Sequence, residues 1–564
     1  MSIFENRPFK VRNAEEYDLN QILELFVNPS ESNNPFEYEN SIIKGRMGSG
    51  KTMYLKSNYV FYLYSIVPSL VNKEPLYLPV FLRLNDFQHL IKPEDIYRAV
   101  IVNIVQNISK VYLELQDYEK MALIHQGMKT LPPELLRTQR LEKIMSALVK
   151  LDSNEYSEII KKNISISGNL GAKFIELSSK VEKEILVQIK KKPNPGISDV
   201  KDTYDYLLRD MGGKLLLLID EAGALDKSFF KSGPSSETSF FEILMNQLRT
   251  SDFIRTKIAV YPNSYSDILA ETRYGDVIML SDNVIDAKGC KTFRKKAISL
   301  INNYLTNAAE KKMVATDVFN ISMREDGAGD CLEQLINATE GNLRRLVQLL
   351  DLSMQEACEE NGEESKVGLN HALKALEKQA FNMESLYSPP DREFLETIAK
   401  ACRNRSTFRF GFPSKSPVLS KYISKSEEQN LLQIIAIGAG RRGTTYAFDY
   451  AYCVLRDIPT HFLKGTERID KERSRKTGNW SKRVVKISEG IMAQASLPGK
   501  IEGEIAWLRQ DSGFVKADNG KEYFVTRIHV IPEDRHKPFM SGQRIRFFPG
   551  SIEGSLFALG IEIL

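Results

Sequence analysis

The fold class predicted by this 564-residue sequence is multidomain: an α/β domain on a parallel sheet, a helical segment, a small α+β module and a C-terminal five-stranded β-barrel. Three observations carry that expectation. A glycine-rich turn sits between a short apolar stretch and a helical-looking run, within residues 41–55. A continuous apolar run from Lys214 to Leu225 contains an Asp-Glu pair at its polar end. The last 65 residues, 500–564, break into short strand-like runs with Gly-marked turns. The length alone calls for several cores.

Composition narrows the class. Hydrophobic residues make up 42% and charged residues 27% of the chain, a globular balance that excludes wholesale disorder. The net charge of +4 is small for this length, so any nucleic-acid surface must come from local clustering. Cys290, Cys331, Cys358, Cys402 and Cys453 form no C-x-x-C pair and read as cytosolic thiols, neither a disulfide frame nor a zinc site. The opening M-S-I-F-E-N-R-P-F-K does not read as a signal peptide. The apolar stretch Tyr59–Val71 is too short and too interrupted to span a bilayer. A cytoplasmic protein with no membrane partner is expected.

The glycine-rich turn reads S-I-I-K-G-R-M-G-S-G-K-T-M-Y-L. It contains G-x-x-x-x-G-K-[ST], a P-loop, with the strand before and the helix after that the motif requires. Along Gly45, Arg46, Met47, Gly48, Ser49 and Gly50 the backbone is free to wrap closely and aim N–H groups at phosphate oxygens. Lys51 is expected to neutralise β/γ-phosphate charge and Thr52 to complete a magnesium shell. ATP and Mg2+ are therefore the expected cofactors.

Residues 1–40 read as a lead-in containing the amphipathic L-N-Q-I-L-E-L-F. Leu76–Leu84 alternates and reads as a core strand. From about 94 to 200 the pattern turns helical and charged, and K-V-E-K-E-I-L-V-Q-I-K-K-K forms an amphipathic helix stopped by P-N-P-G. The run K-L-L-L-L-I-D-E does not alternate, which suits a parallel strand buried on both faces. It delivers Asp220 and Glu221 to a strand end, where α/β sheets keep their chemistry. Asp220 is expected to hold magnesium through water, and Glu221 to polarise the water that attacks the γ-phosphate. The strand in Thr256–Ser264 ends at Asn263, placed to orient that water, with Ser264 as the neighbouring candidate. Arg273, before the strand V-I-M-L, is a candidate finger toward a neighbouring subunit's phosphates. Residues 291–383 read as helical, and E-G-N-L-R-R-L-V-Q-L-L puts Arg344 and Arg345 on a lid helix behind a glycine turn.

In this order the motifs resemble AAA+ ATPases of the origin-recognition-complex (ORC)-like kind, over roughly residues 20–385. The resemblance implies that the first two motifs bind and hydrolyse ATP. It implies a first-sensor role for Asn263, and a second-sensor role for Arg344 through G-N-L-R. Lys51 and Asp220 stand 169 positions apart, further than such domains need, and the surplus is the helical insert. That insert also fits the related STAND-type ATPases, which hold ATP as a slow switch. The competing class is therefore a regulatory switch in a signalling or antiviral host-defence assembly, with the C-terminal domains binding partners.

The second half reads as two nucleic-acid modules. Residues 386–463 run from helices to the hairpin G-A-G-R-R-G-T-T-Y-A-F-D, a segment that resembles the winged helix following the ATPase in ORC-like proteins. Arg441 and Arg442 at its tip are expected to meet phosphates or a minor groove. Residues 464–499 read as a basic linker, and Lys464–Lys486 holds nine Lys/Arg against three acids. Residues 500–564 resemble a cold-shock domain, an OB-type barrel that binds single strands. On that resemblance Trp507, Phe514 and Phe524 are stacking rings, and Lys516, Lys521, Arg527 and His529 supply charge. Gln510, Asp511 and Ser512 stand where the family usually carries another aromatic, and Thr526 where it has His, so weaker and less selective binding is implied.

The sequence thus predicts domains at 1–290 (P-loop ATPase with the insert at about 94–200), 291–385 (helical lid), 386–463, 464–499 and 500–564. It predicts an ATPase coupling nucleotide state to DNA or RNA, working as a homo-oligomer or with a partner protein.

Overall fold

In the computed structural model the described residues are 3–29, 34–72, 75–114, 185, 189, 194–209, 212–222, 225, 227–230, 239–261, 274–280, 284, 287–309, 311–321, 330–362, 366–412, 417–423, 429–436, 444–459, 484–487, 491, 499–509, 511–552 and 555–564. Contacts divide the chain into two units. One comprises 8–315 with 341–344, the other 1–7 with 316–340 and 345–564.

The first unit is built on a parallel sheet. Strands β1 (Ser41–Lys44), β2 (Tyr77–Arg83), β3 (Lys214–Asp220), β4 (Ile254–Val260) and β5 (Asp276–Met279) pair in the order β2-β3-β4-β1-β5. The unbroken apolar run of β3 has a simple cause. Leu215, Leu217 and Ile219 enter one core cluster, while Leu216 and Leu218 enter another, as the two-residue period of a strand covered on both faces demands. Each such side chain contributes ~1.5–3 kcal/mol by leaving water. The helix Lys51–Asn72 packs Tyr54, Leu55 and Tyr62 into the second cluster and Leu63 and Ile66 into the first. The helix Pro93–Glu114 buries Ile96, Val100, Ile101, Ile104, Val105 and Ile108 in the first cluster, so the beginning of the stretch read as an insert is part of this core. Residues 115–184 lie outside the described residues, as does most of the amphipathic run at 180–192.

Residues 34–40, read from sequence as the tail of a polar lead-in, are strapped to the domain. Tyr54 and Tyr62 donate to the carbonyls of Pro35 and Phe36, Tyr38 donates to that of Leu215, and Phe36 stacks on Phe61 at 4.2 Å. The same strap takes up a charge that the sequence pattern conceals. Lys257, in the middle of β4, is 1% exposed. Its ammonium donates to Pro35 O and Asn58 Oδ1, both at 2.8 Å.

In the second unit the helices Cys331–Ala338, Leu343–Asn361 and Leu369–Glu384 precede the helix Pro389–Asn404. Strands β6 (Arg409–Phe412), β7 (Leu432–Ala436), β8 (Thr444–Phe448) and β9 (Val485–Lys486) form a sheet ordered β7-β8-β6-β9. The antiparallel β7–β8 pair is the predicted hairpin; its tip, with Arg441 and Arg442, lies outside the described residues. β9 corrects the reading of 464–499 as a tether throughout. The β-branched Val485 and Ile487 draw residues 484–487 onto the sheet, β9 pairs in parallel with β6, and Ile487 is buried. Bidentate Arg345 and Asp449 form a buried pair, and Asp449 Oδ1 also caps the helix Tyr450–Leu455 through the amides of Ala451 and Tyr452.

The chain ends in a closed barrel of β10 (Ile501–Arg509), β11 (Ser512–Ala517), β12 (Glu522–Thr526), β13 (Arg544–Ile552) and β14 (Ser555–Ile563), ordered β10-β11-β12-β14-β13. Ile505, Val515, Tyr523, Val525, Ile545, Phe547 and Ile561 fill it. Among the described residues no helix is long and apolar enough to cross a membrane.

Burial lowers the Lys257 ammonium to about pH 7, with Glu39 and then Glu37 opposing the shift. Between that value and the ordinary lysine range the unfolded chain holds a proton that the folded chain lacks. Stability therefore rises with pH over that window from this group. Lys257→Met is expected to remove that rise, read as a smaller change in melting temperature from pH 7 to pH 9 than in the wild type. Equal changes in both proteins would exclude Lys257 as its source.

Candidate nucleotide site

The P-loop leaves β1 at the carboxyl end of the sheet and enters its helix at Lys51. Gly48 (φ 77°) and Gly50 (φ 91°) hold left-handed conformations that give the loop its curl. A Cβ on Gly48 would also lie 2.2 Å from Asn342 Oδ1. Asn342 donates to Met47 O at 3.1 Å, and the amides of Leu343 and Arg344 both donate to Gly48 O, at 3.1 and 3.2 Å. Two otherwise orphaned donors at the start of the Leu343–Asn361 helix are thus satisfied by the P-loop itself.

Lys51 folds over the loop. Its Nζ donates to Gly45 O and Arg46 O at 2.8 Å and lies 4.2 Å above the centroid of Tyr261. Carbonyl dipoles and a π-face support an ammonium but do not neutralise it. Ser49 Oγ is buried without a hydrogen-bond partner. Glycine cradle, lysine and spare hydroxyl together fit a polyphosphate.

Asp220 closes β3 and is 3% exposed. Burial raises its carboxyl above the usual range, while hydrogen bonds from the Thr52 hydroxyl and the Glu221 amide pull it back; the amide contact is 2.8 Å. A buried carboxylate beside a P-loop threonine suits a hard divalent cation such as Mg2+. Glu221 follows at φ 58°, a left-handed conformation that costs a non-glycine residue energy and tends to mark functional positions. Burial and then Asp220 raise its carboxyl, and Arg83 lowers it.

Arg83 is the residue the sequence reading missed. It ends β2, in register with Asp220, and its Nη2 stands 3.8 Å from Glu221 Oε2. Lys56, one helical turn beyond Thr52, donates to Ala14 O at 3.1 Å; burial lowers its ammonium, and Glu15 and Asp220 oppose that. Neither signal was available locally: Arg83 is the polar end of an ordinary core strand until sheet order sets it beside β3.

The structure brings together Gly45, Arg46, Met47, Gly48, Ser49, Gly50, Lys51, Thr52, Asp220 and Glu221, joined by the backbone of Arg344. Arg345, the alternative on the same helix, is committed to Asp449. Asn263, Ser264 and Arg273 lie outside the described residues. On the barrel, Trp507, Phe514 and Phe524 adjoin one another on neighbouring strands. Lys516 sits in register between Glu504 and Glu522, which dilutes the charge expected of it.

Comparison with known proteins bears on the first part of the chain. Among solved structures, the Aeropyrum pernix ORC2 protein in ADPNP–ADP complexes is similar over 83% of this chain and 96% of that chain, with 13% identity and a TM-score of 0.30. No curated protein matches the sequence. Residues 7–231, from the lead-in through both nucleotide motifs, match the family described as ORC-CDC6-like.

Proposed function

We propose that this protein binds and hydrolyses ATP as an ORC-like AAA+ ATPase and couples its nucleotide state to nucleic-acid binding by its C-terminal modules. The observation that carries the first half is the convergence of the P-loop, Thr52, Asp220 and Glu221 at one end of a parallel sheet. The match to the ORC-CDC6-like family over 7–231 supports it. The second half rests on the barrel's strand order and partly exposed rings, which support a cold-shock-like single-strand surface. The β7–β8 hairpin supports a winged helix.

In this reading the loop amides and Lys51 grip the phosphates, and Lys51 gives up its carbonyl partners to do so. Thr52 and Asp220 hold Mg2+, which offsets charge on the phosphoryl oxygens. Glu221, as carboxylate, accepts a hydrogen bond from water and aligns it for attack. Arg83 biases Glu221 toward that ionised form. Arg344, with its amide on Gly48, serves as second sensor, and Asn263 and Arg273 as first sensor and intersubunit finger. The protein works as a homo-oligomer or with a partner protein.

Lys51→Ala is expected to lose ATP binding, and Glu221→Gln to bind ATP without turnover, as measured by calorimetry and phosphate release. An unimpaired rate in Glu221→Gln would remove the role given to that residue. Arg83→Met takes away a charge that holds the Glu221 carboxyl down. The acid limb of its ATPase pH profile should therefore move to higher pH, and an unmoved limb would separate Arg83 from Glu221. Coupling is tested by the ATPase rate with single- and double-stranded DNA and RNA. A rise with at least one of them is expected, and a rate indifferent to all four would sink the second half.

A further inference from the structure

The barrel's outer surface carries a row of rings longer than its sequence motifs suggest. Trp507 on β10, Phe514 on β11, Phe524 on β12 and Phe557 on β14 succeed one another with centroids 6.4, 5.8 and 5.6 Å apart. Phe557 joins because β14 runs parallel to β12 with Phe524 opposite Phe557. None of the four helps fill the barrel, whose adjacent inward positions belong to Val515, Tyr523, Val525 and Ala558.

The row is built into the strands. A bulge between Ile505 and Trp507 breaks the inward–outward alternation of β10 and turns Trp507 out, 53% exposed. Opposite Trp507 stands Phe514, and the next pair is Leu508 with Gly513, where a Cβ would come within 1.9 Å of the Trp507 carbonyl oxygen, so the backbones approach as only glycine allows. A surface bulge that exposes a tryptophan leaves apolar area in water for no gain in packing.

Charge favours one occupant. Arg544 pairs with Asp518 and Glu502, Arg546 with Glu502, and Lys500 with Glu562, so these cations are answered by acids. Along one side of the row lies the turn Arg527–His529: the Arg527 amide donates to Asp511 O at 2.8 Å, and His529 Nδ1 is 3.1 Å from Ala558 O, beside Phe557. Arg527 donates to the carbonyl of Arg535, a neutral partner that leaves its charge to an incoming anion. Aromatic faces flanked by an arginine and a histidine suit unpaired bases on a phosphate backbone.

We propose that Phe557 is the fourth stacking ring of a single-stranded nucleic-acid track. The track runs from Trp507 through Phe514 and Phe524, and the strand's phosphates pass over Arg527 and His529. This rests on the barrel reading above and adds a residue, a direction and a site size of one base per ring.

The test is fluorescence anisotropy of short labelled oligo(dT) and oligo(U) with the full-length protein. Phe557→Leu is expected to weaken binding about tenfold, in the range that loss of one base–aromatic stack produces, while Phe557→Tyr binds as the wild type does. Arg527→Gln should lower the salt dependence. Wild-type affinity in Phe557→Leu, alongside weakened Phe514→Ala, would overturn the fourth ring and leave the barrel reading standing. Equal losses in Phe557→Leu and Phe557→Tyr would make the ring structural and overturn its stacking role. A wild-type protein that takes up neither oligonucleotide would overturn both.

Discussion

A parallel sheet covered on both faces has little room for polar side chains within it, and its chemistry collects at the carboxyl ends of its strands. β3 illustrates the constraint: five consecutive apolar residues divide between two core clusters, and the next residue is Asp220. β1 obeys it too, with Ile42 and Ile43 facing opposite clusters before the chain opens into the P-loop. Because β4 lies between β1 and β3, phosphate loop and acidic pair are separated by one strand's width. Thr52, at the start of the helix that follows the P-loop, reaches across that width with its hydroxyl bond to Asp220.

The electrostatics of that end follow from partial burial. Asp220 and Glu221 are both raised by lost hydration, and Lys56 is lowered by it, so each group is poised closer to neutrality than it is in water. Nearby opposite charges restrain these shifts without cancelling them. Lys51, which also lowers the Asp220 carboxyl, donates to two carbonyls of the loop it serves. Such contacts are weaker than charge-assisted bonds to phosphate, so exchanging one for the other is favourable.

How much of this the sequence discloses depends on how local the determinant is. The P-loop and the Asp-Glu strand end are contiguous and could be read directly. Arg83 was illegible because its partner is set by the pairing of two strands far apart in sequence, in which Tyr77 meets Lys214 and Arg83 meets Asp220. The burial of the Lys257 charge could not be read from its strand, since nothing nearby announces that Pro35 and Asn58 will meet it. β9 was hidden inside a strongly basic segment, where charge outweighed the short β-branched pattern. Phe557 escaped notice because it belongs to no aromatic motif and gains its neighbours only through a parallel strand pair at the closure of the barrel.

Arg344 and Arg345 show the same limit at the scale of one peptide bond. Periodicity treats them as equivalent residues on a helix, and only the resemblance singled out Arg344. The structure separates them by what each contacts. The Arg344 amide belongs with Gly48 and the P-loop, whereas the Arg345 guanidinium is sealed against Asp449 at the cap of another helix. A left-handed pair, Glu340 at φ 52° and Gly341 at φ 87°, delivers the chain to that start. An arginine already bidentate to a buried carboxylate cannot also answer to a nucleotide without stranding a charge, a cost of several kcal/mol in such sites. The division of labour on this helix is therefore fixed by desolvation: the buried arginine is structural, and its neighbour remains the one that can follow the P-loop.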